Sequence, residues 1–195
     1  MIKDIIEHIN DQLAETDYFQ KQFELCELIK RSDGQVSPKQ YCSKGEWKEV
    51  SNFDSYHGVS YWRKNGDVSV ATLDPASTLI PCDVYNKFSI PLKLIAVIPR
   101  HRLKYDDAYS DDRTVQSLIE KLYTDTSTLG LAIQAQLVEI FVDSYSTDNQ
   151  KIITQEYSQI NPVDINYNFI YLSIDLRVDV TINQSCIETE CEYGI

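Results

Sequence analysis

The clearest pattern in the chain is an alternation of apolar and polar residues near the C-terminus. Every even-numbered position from Ile170 to Ile182 is apolar, and the residues between them run Tyr171, Ser173, Asp175, Arg177, Asp179 and Thr181. Because successive side chains of a strand point to opposite faces, this predicts a β-strand with one dry and one wet face. At about 3.3 Å per residue it would extend roughly 43 Å, against a diameter of roughly 42 Å for a compact chain of this length. Such a strand suits a protein that pairs with neighbours.

Two segments have helical periodicity. The N-terminal segment carries one apolar stripe and predicts an amphipathic helix ending near Glu15; the stripe is formed by Ile2, Ile5, Ile6, Ile9 and Leu13. A second helix is predicted from Ser110, where hydroxyl and carboxylate side chains can cap its positive end. Those capping residues, Ser110, Asp111 and Asp112, precede the apolar positions Val115, Leu118, Ile119 and Leu122.

Turn residues between short apolar runs predict two β-hairpins. Asp33-Gly34 separates the run from Phe23 to Ile29 from the run that begins at Gln35. Asn65-Gly66 lies between residues 59–63 and 68–71. Since glycine accepts the positive φ of a tight turn, Asn-Gly is a strong hairpin signal.

Further along the chain, residues 84–98 are apolar on both faces and predict a central strand that ends at Pro99. A Thr/Ser/Gly linker precedes another strand from Leu137 to Tyr145, and residues 146–162 form a polar connection with at most one helical turn. This order predicts a single α+β domain, residues 1–195, in which two helices pack on a mostly antiparallel sheet. Residues 35–74 are predicted to be a β-hairpin insertion.

The net charge of −12 at pH 7 restricts the classes of partner. It argues against tight or sequence-specific DNA binding, because nucleic-acid affinity comes largely from neutralising phosphates. An acidic surface can give solubility alone, let DNA slide past a channel wall, or match a basic protein. No stretch is long and apolar enough for a membrane helix, and the N-terminus is unlike a secretory signal. Synthesis in a cytoplasm is therefore expected.

Residues that carry chemistry are sparse. The five cysteines, an odd number without a C-x-x-C pair, are expected to be reduced thiols. The three histidines, His8, His57 and His101, have no zinc-site spacing, and no nucleophile motif or phosphate-binding glycine loop occurs. We therefore expect no catalytic residue, no metal and no cofactor.

Two groups of residues are candidates for an interface. The aromatic cluster in and around the predicted hairpins is suited either to an interaction surface or to the core of a small sheet; it comprises Tyr41, Trp47, Tyr56, Tyr61 and Trp62. The chain's basic cluster can be a solvated strand end or can face the acidic surface of a neighbour; its interface candidates are Arg100, Arg102 and Lys104.

The order of elements resembles small accessory proteins of tailed bacteriophages, namely the tail-completion or tail-terminator class and related neck (head–tail connector) proteins. About half of the chain carries the resemblance: the helix stripe Ile2, Ile5, Ile6 and Ile9, the strand Pro91–Pro99, the helix Asp111–Tyr123, and the strands Gln136–Ser146 and Ile170–Ile182. No residue-level motif is matched, so no site residue is carried over, and Gln35–Asp74 departs from the family pattern.

This resemblance implies a structural virion protein, a ring subunit in the tail or at the head–tail junction that assembles around a DNA channel. Its partners would be further copies of the chain and other phage structural proteins such as the portal, the connector or the tail tube. The alternative from the residues is an acidic immunity or antitoxin-like protein that caps a basic toxin. A small enzyme of unknown type is the third possibility.

Overall fold

A computed structural model describes residues 1–30, 36–43, 46–49, 58–73, 84–103, 109–123, 126–156 and 168–183. Within them, helices α1 to α4 span Ile2–Ala14, Ser110–Leu122, Thr126–Ala132 and Asn149–Glu156. Strands β1 to β8 span Lys21–Lys30, Val36–Ser43, Glu46–Glu49, Val59–Lys64, Ser69–Leu73, Tyr85–Pro99, Leu137–Ser146 and Phe169–Asn183. No helix in these ranges is long and apolar enough to cross a bilayer.

The strands form one sheet in the order β3-β2-β1-β4-β6-β8-β7, and β5 also pairs with β6. Neighbouring strands are antiparallel except β1 and β4, which run parallel. The predicted α+β class, with a mostly antiparallel sheet and an N-terminal helix, is confirmed. The predicted long strand is also confirmed, since β8 pairs with β6 from Phe169↔Pro99 to Asn183↔Tyr85.

Helices cover the sheet unequally. The even-numbered side chains of β6 and β8 form the main core with the apolar sides of α1, α2 and α3. This face is called the helix face below. On the opposite face, a smaller cluster packs beneath α4 and includes Phe23, Tyr61, Ile95 and Ile153. The other half of that opposite face carries charged side chains.

The predicted hairpin at Asn65-Gly66 is wrong. Strands β4 and β5 do not pair with each other; they follow one another along the same edge of β6, opposite residues 92–97 and 85–89. The interruption between them lies at Pro91, whose carbonyl accepts the Asn65 N–H at 3.1 Å. Since the N and C=O of one strand residue point to the same side, Pro91 has no N–H to offer that edge, and the ladder breaks there.

Gly66 allows the chain to pass this break. Its φ is +150°, and a Cβ at this position would lie 3.2 Å from Pro91 Cγ. Asn-Gly therefore bridges two collinear strands instead of reversing the chain.

Two connections also differ from expectation. The predicted Thr/Ser/Gly linker contains α3, and the polar connection after β7 contains the eight-residue helix α4. The first hairpin has its predicted partners, because β1 pairs antiparallel with β2, while its turn lies outside the described residues. Whether residues 35–74 are an insertion stays a prediction.

Candidate functional site

The polar half of the face opposite the helix face carries a network of charged side chains. Strands β4, β6, β7 and β8 contribute alternate residues to it, and α4 contributes one carboxylate. Four cations face four carboxylates there: Arg63, Lys87, Lys93 and Arg177 against Glu139, Glu156, Asp175 and Asp179. We call this group the sheet network.

Asp179 is the most buried carboxylate on the strands of the sheet network, at 5% exposure. Lys87 Nζ lies 2.8 Å from its Oδ2, and Ser89 Oγ donates to its Oδ1 at 2.6 Å. Arg177 Nε lies 3.3 Å from Oδ1. Burial alone raises the pKa of Asp179, but the hydrogen bonds from Lys87 and Ser89, with the nearby positive charges, outweigh burial and lower that pKa below its ordinary value.

A second group of ion pairs ties α4 to the sheet. Lys93 Nζ lies 3.3 Å from Asp175 and 3.8 Å from Glu156 at the end of α4. Glu156 also pairs with Arg63, and Asp175 accepts a hydrogen bond from Ser144 Oγ at 2.8 Å. Because each carboxylate has a cation beside it, the sheet network is suited to bracing strands and fixing α4.

The outer edge of the sheet is formed by β7, which in the described residues pairs only with β8. Leu137, Phe141 and Tyr145 on this strand are 50%, 36% and 51% exposed. The guanidinium carbon of Arg177 lies 4.7 Å from the Phe141 ring centroid, so the ring is held in place at the surface. The charged residues of β7 are Glu139 and Asp143, both acidic.

Part of this edge is already protected. A register irregularity near Asp143 disturbs the β7–β8 ladder, and the Val142 N–H donates to the Tyr123 hydroxyl at 3.3 Å. Beyond the end of β7, the Asn149 side chain takes the place of a strand: its Oδ1 accepts the Tyr171 N–H at 3.0 Å and its Nδ2 donates to the Phe169 carbonyl at 3.4 Å. The first half of β7 keeps a regular register with β8, and Glu139 is its one charged side chain.

Two predicted interface aromatics are core residues, so this part of the prediction is wrong. Tyr61 and Trp62 are both fully buried. They point to opposite faces of β4, an interior strand between β1 and β6, where both faces are covered. Trp62 packs in the main core and its Nε1 donates to Asn10 Oδ1 of α1 at 2.8 Å.

The remaining candidates divide into those the structure describes and those it does not. Tyr41 and Trp47 are partners in the β2–β3 register, whereas Tyr56 and Lys104 lie outside the described residues. Arg100 contacts Asp111 at the start of α2 at 3.2 Å, and Arg102 Nη1 donates to the Asp17 carbonyl at 3.4 Å. The two arginines thus contact their own chain.

The exposed residues of β7 were missed as candidates, although the sequence contained a signal. Placing Val138, Ile140 and Val142 on one face puts Leu137 and Phe141 on the other. In the sequence pattern of β8, that other face carries Asp175, Arg177 and Asp179. Apolar residues of β7 on the same charged face are unexpected and therefore mark a candidate contact surface.

Cys26, the one cysteine whose side chain the structure describes, is buried and its thiol is hard to ionise. Cys26 is 3% exposed, and burial, with a smaller effect of Glu24, raises the pKa of its thiol to about 12. The other four cysteines lie where the structure describes no side chain. In the described part of the chain, no three His, Cys, Asp or Glu side chains come together as metal ligands.

A shallow depression of about 350 Å³ lies between α1 and β1, and its charged lining residues are Glu7, Asp11, Glu24 and Lys21. The comparisons with known proteins add no assignment: no family model matches the chain, and no curated protein does.

Proposed function

We propose that this chain is a structural virion protein of a tailed bacteriophage, a ring-forming subunit at the head–tail junction or in the tail. It acts through protein–protein assembly around a DNA channel and performs no chemistry. The observation that carries the proposal is the central ribbon of β6 and β8, two strands of 15 residues paired along their whole length.

The length of this ribbon supports a bracing role. At about 3.4 Å per residue, 15 residues reach roughly 50 Å, more than the roughly 42 Å diameter of a compact chain of this size. Side chains on both faces of the ribbon are fixed, by the helices on one face and by the sheet network on the other. A subunit that transmits load between neighbours benefits from such a continuous element.

The electrostatics support a channel without a tight DNA contact. A net charge of −12 repels duplex phosphates, which favours sliding over retention. The sheet network adds no net charge to this balance, because its four cations match its four carboxylates. Assembly would then depend on contacts between protein surfaces.

The test is the mass of the purified chain in solution together with its location in particles. A ring subunit gives a single closed oligomer as concentration rises, and the chain is found in purified tailed particles in a fixed copy number. A chain that stays monomeric at all concentrations and is absent from particles overturns the proposal.

A matched pair of variants asks whether the basic cluster lies at the subunit contact. Arg100→Gln with Arg102→Gln weakens association if these side chains face an acidic neighbour. Lys3→Gln with Lys64→Gln removes the same charge at two exposed positions, of which Lys64 lies opposite Leu92, seven residues before Pro99 on β6, and leaves association unchanged.

The acidic depression between α1 and β1 favours a second candidate, an immunity or antitoxin-like protein that caps a basic toxin. Glu7 and Asp11 lie one turn apart on α1, and Glu24 and Lys21 line the same depression from β1. Lys3 lies 3.3 Å from Glu7, but three carboxylates against one lysine in the lining still favour a basic side chain. A stable monomer that binds a basic toxin with an affinity reduced by Asp11→Asn supports this candidate instead.

A further inference from the structure

We propose that the first half of β7, Leu137–Phe141, receives an extended segment of another protein that sets an apolar, a basic and an apolar side chain in turn opposite Leu137, Glu139 and Phe141. The added segment would become the next strand of the sheet. This inference rests on the proposed function only in assuming that the protein acts by assembling with other proteins. It adds the chemistry of one partner.

The backbone provides the first argument. In the described residues β7 has β8 on one side and no strand on the other. Edge strands are usually blunted by bulges, charges or covering groups. Here the irregularity near Asp143 and the Tyr123 hydroxyl protect the second half of β7, and the first half keeps a regular register with β8.

The side chains provide the second argument. Leu137 is 50% and Phe141 36% exposed, and both lie on the same face because they are four residues apart in a regular strand. Arg177 holds the Phe141 ring from β8. Leu137 and Phe141 therefore offer apolar contacts to two side chains on one face of an added strand, and the side chain between those two lies opposite Glu139.

Charge selects the partner. The charged side chains of β7 are Glu139, half-exposed and 3.8 Å from Lys87, and the exposed Asp143. An incoming lysine or arginine opposite them gains a favourable interaction, whereas an acidic segment is repelled. A second copy of β7 in antiparallel register about Phe141 would set Glu139 against Asp143, so that register disfavours self-pairing.

The experiment uses the full chain and two synthetic ten-residue peptides, Val-Thr-Lys-Thr-Val-Thr-Lys-Thr-Val-Thr and the same sequence with glutamate in place of lysine, each of which presents valine and the charged residue in turn on one face. We expect the lysine peptide to bind at least about tenfold more tightly at low salt. Hydrogen exchange should then slow at the amides of β7, and at none in β4 or β5.

Two double variants locate the charge effect. Glu139→Gln with Asp143→Asn should weaken binding of the lysine peptide by about fivefold, as expected for two exposed pairs. Glu27→Gln with Asp67→Asn, at two exposed positions away from β7, changes the net charge equally and should leave affinity within about twofold. Unfolding curves show whether the variants fold. If Glu139→Gln with Asp143→Asn does not fold, the affinities of the two peptides for the wild-type chain still test the inference.

Several results would overturn the inference: equal affinity for both peptides, no binding of either, protection away from β7, an equal loss in both double variants, or a wild-type dimer in which the β7 amides become protected. Failure here is separable from failure of the proposed function, because solution mass and particle content are measured without peptide.

Discussion

Asp179→Asn tests whether the sheet network contributes to stability through an ionised carboxylate. The substitution keeps the size of the side chain and an oxygen that can accept from Ser89 Oγ. It removes the charge that faces Lys87 at 2.8 Å and Arg177 at 3.3 Å. Hydrogen bonds to charged groups contribute about 1.5–3 kcal/mol, so we expect the variant to lose about 2 kcal/mol of unfolding free energy at pH 7.

The lowered pKa of Asp179 determines whether its contribution to stability rises or falls with pH. The pKa of Asp179 is lower in the folded protein than the value of about 3.9 expected in the unfolded chain. The folded state therefore binds its proton less readily, and the stabilisation is fully present above the unfolded pKa. It is lost as pH falls through the folded pKa. Asparagine does not titrate, so the difference between wild type and variant should narrow in acid.

The assay is urea unfolding followed by far-UV circular dichroism, at pH 7 and at about pH 2.5, where most carboxyl groups are protonated. Asp67→Asn, at an exposed position between β4 and β5, is the matched control and should change stability by less than about 0.5 kcal/mol at either pH. A difference for Asp179→Asn that is the same at both values of pH would refute the reasoning.

Four further outcomes follow from the packing. Gly58→Ala should cost about 3 kcal/mol or more in urea unfolding, because φ is +91° and a Cβ would lie 2.3 Å from a backbone oxygen; Gly130→Ala in α3 should be close to neutral. Ile174→Asp should cost about 3 kcal/mol or more, and a smaller loss measured by urea would contradict the register. Asn149→Ala should speed amide exchange at the start of β8, and unchanged exchange would exclude its role as a strand substitute. Cys26 should react with a maleimide only after urea is added.

Periodicity predicted the elements that depend on local pattern and burial. The apolar stripe of α1 and the two-sided apolarity of β6 gave their boundaries to within a residue or two. The alternation of β8 gave its faces correctly, but exposure does not follow strictly from it. Ser173 and Asp179 lie on the wet face and are 8% and 5% exposed, because α4 and long charged side chains cover parts of that face.

The sequence did not predict the long-range pairing of β4 and β5 with β6. Asn65-Gly66 has the residues of a hairpin turn, but β6 supplies the partner for both flanking strands, and Pro91 on β6 sets the position of the break. That proline lies 25 residues away along the chain, so no local rule connects it to Gly66. Tertiary context overrode a strong turn signal.

The candidate interface was predicted less well than the fold. Aromatic side chains suit a core and an interface equally, and burial of Tyr61 and Trp62 depends on β4 being an interior strand. The sequence does not reveal this position, because it results from the parallel pairing with β1. The exposure of Phe141 could have been inferred from the sequence, because its neighbours Ile140 and Val142 form the buried face of the strand and Phe141 lies on the other face.

The pairing of β6 with β8 has a consequence for how the protein forms. Its contacts join residues between 70 and 98 positions apart, from Pro99↔Phe169 to Tyr85↔Asn183. Loop closure over such separations slows folding, and sheets with mostly non-local contacts fold in milliseconds to seconds. On the ribosome, at about 5–20 residues per second, β6 waits several seconds for its partner to be synthesised. During that time its apolar faces are exposed and prone to aggregation. The central ribbon can be completed only after Asn183 has been synthesised.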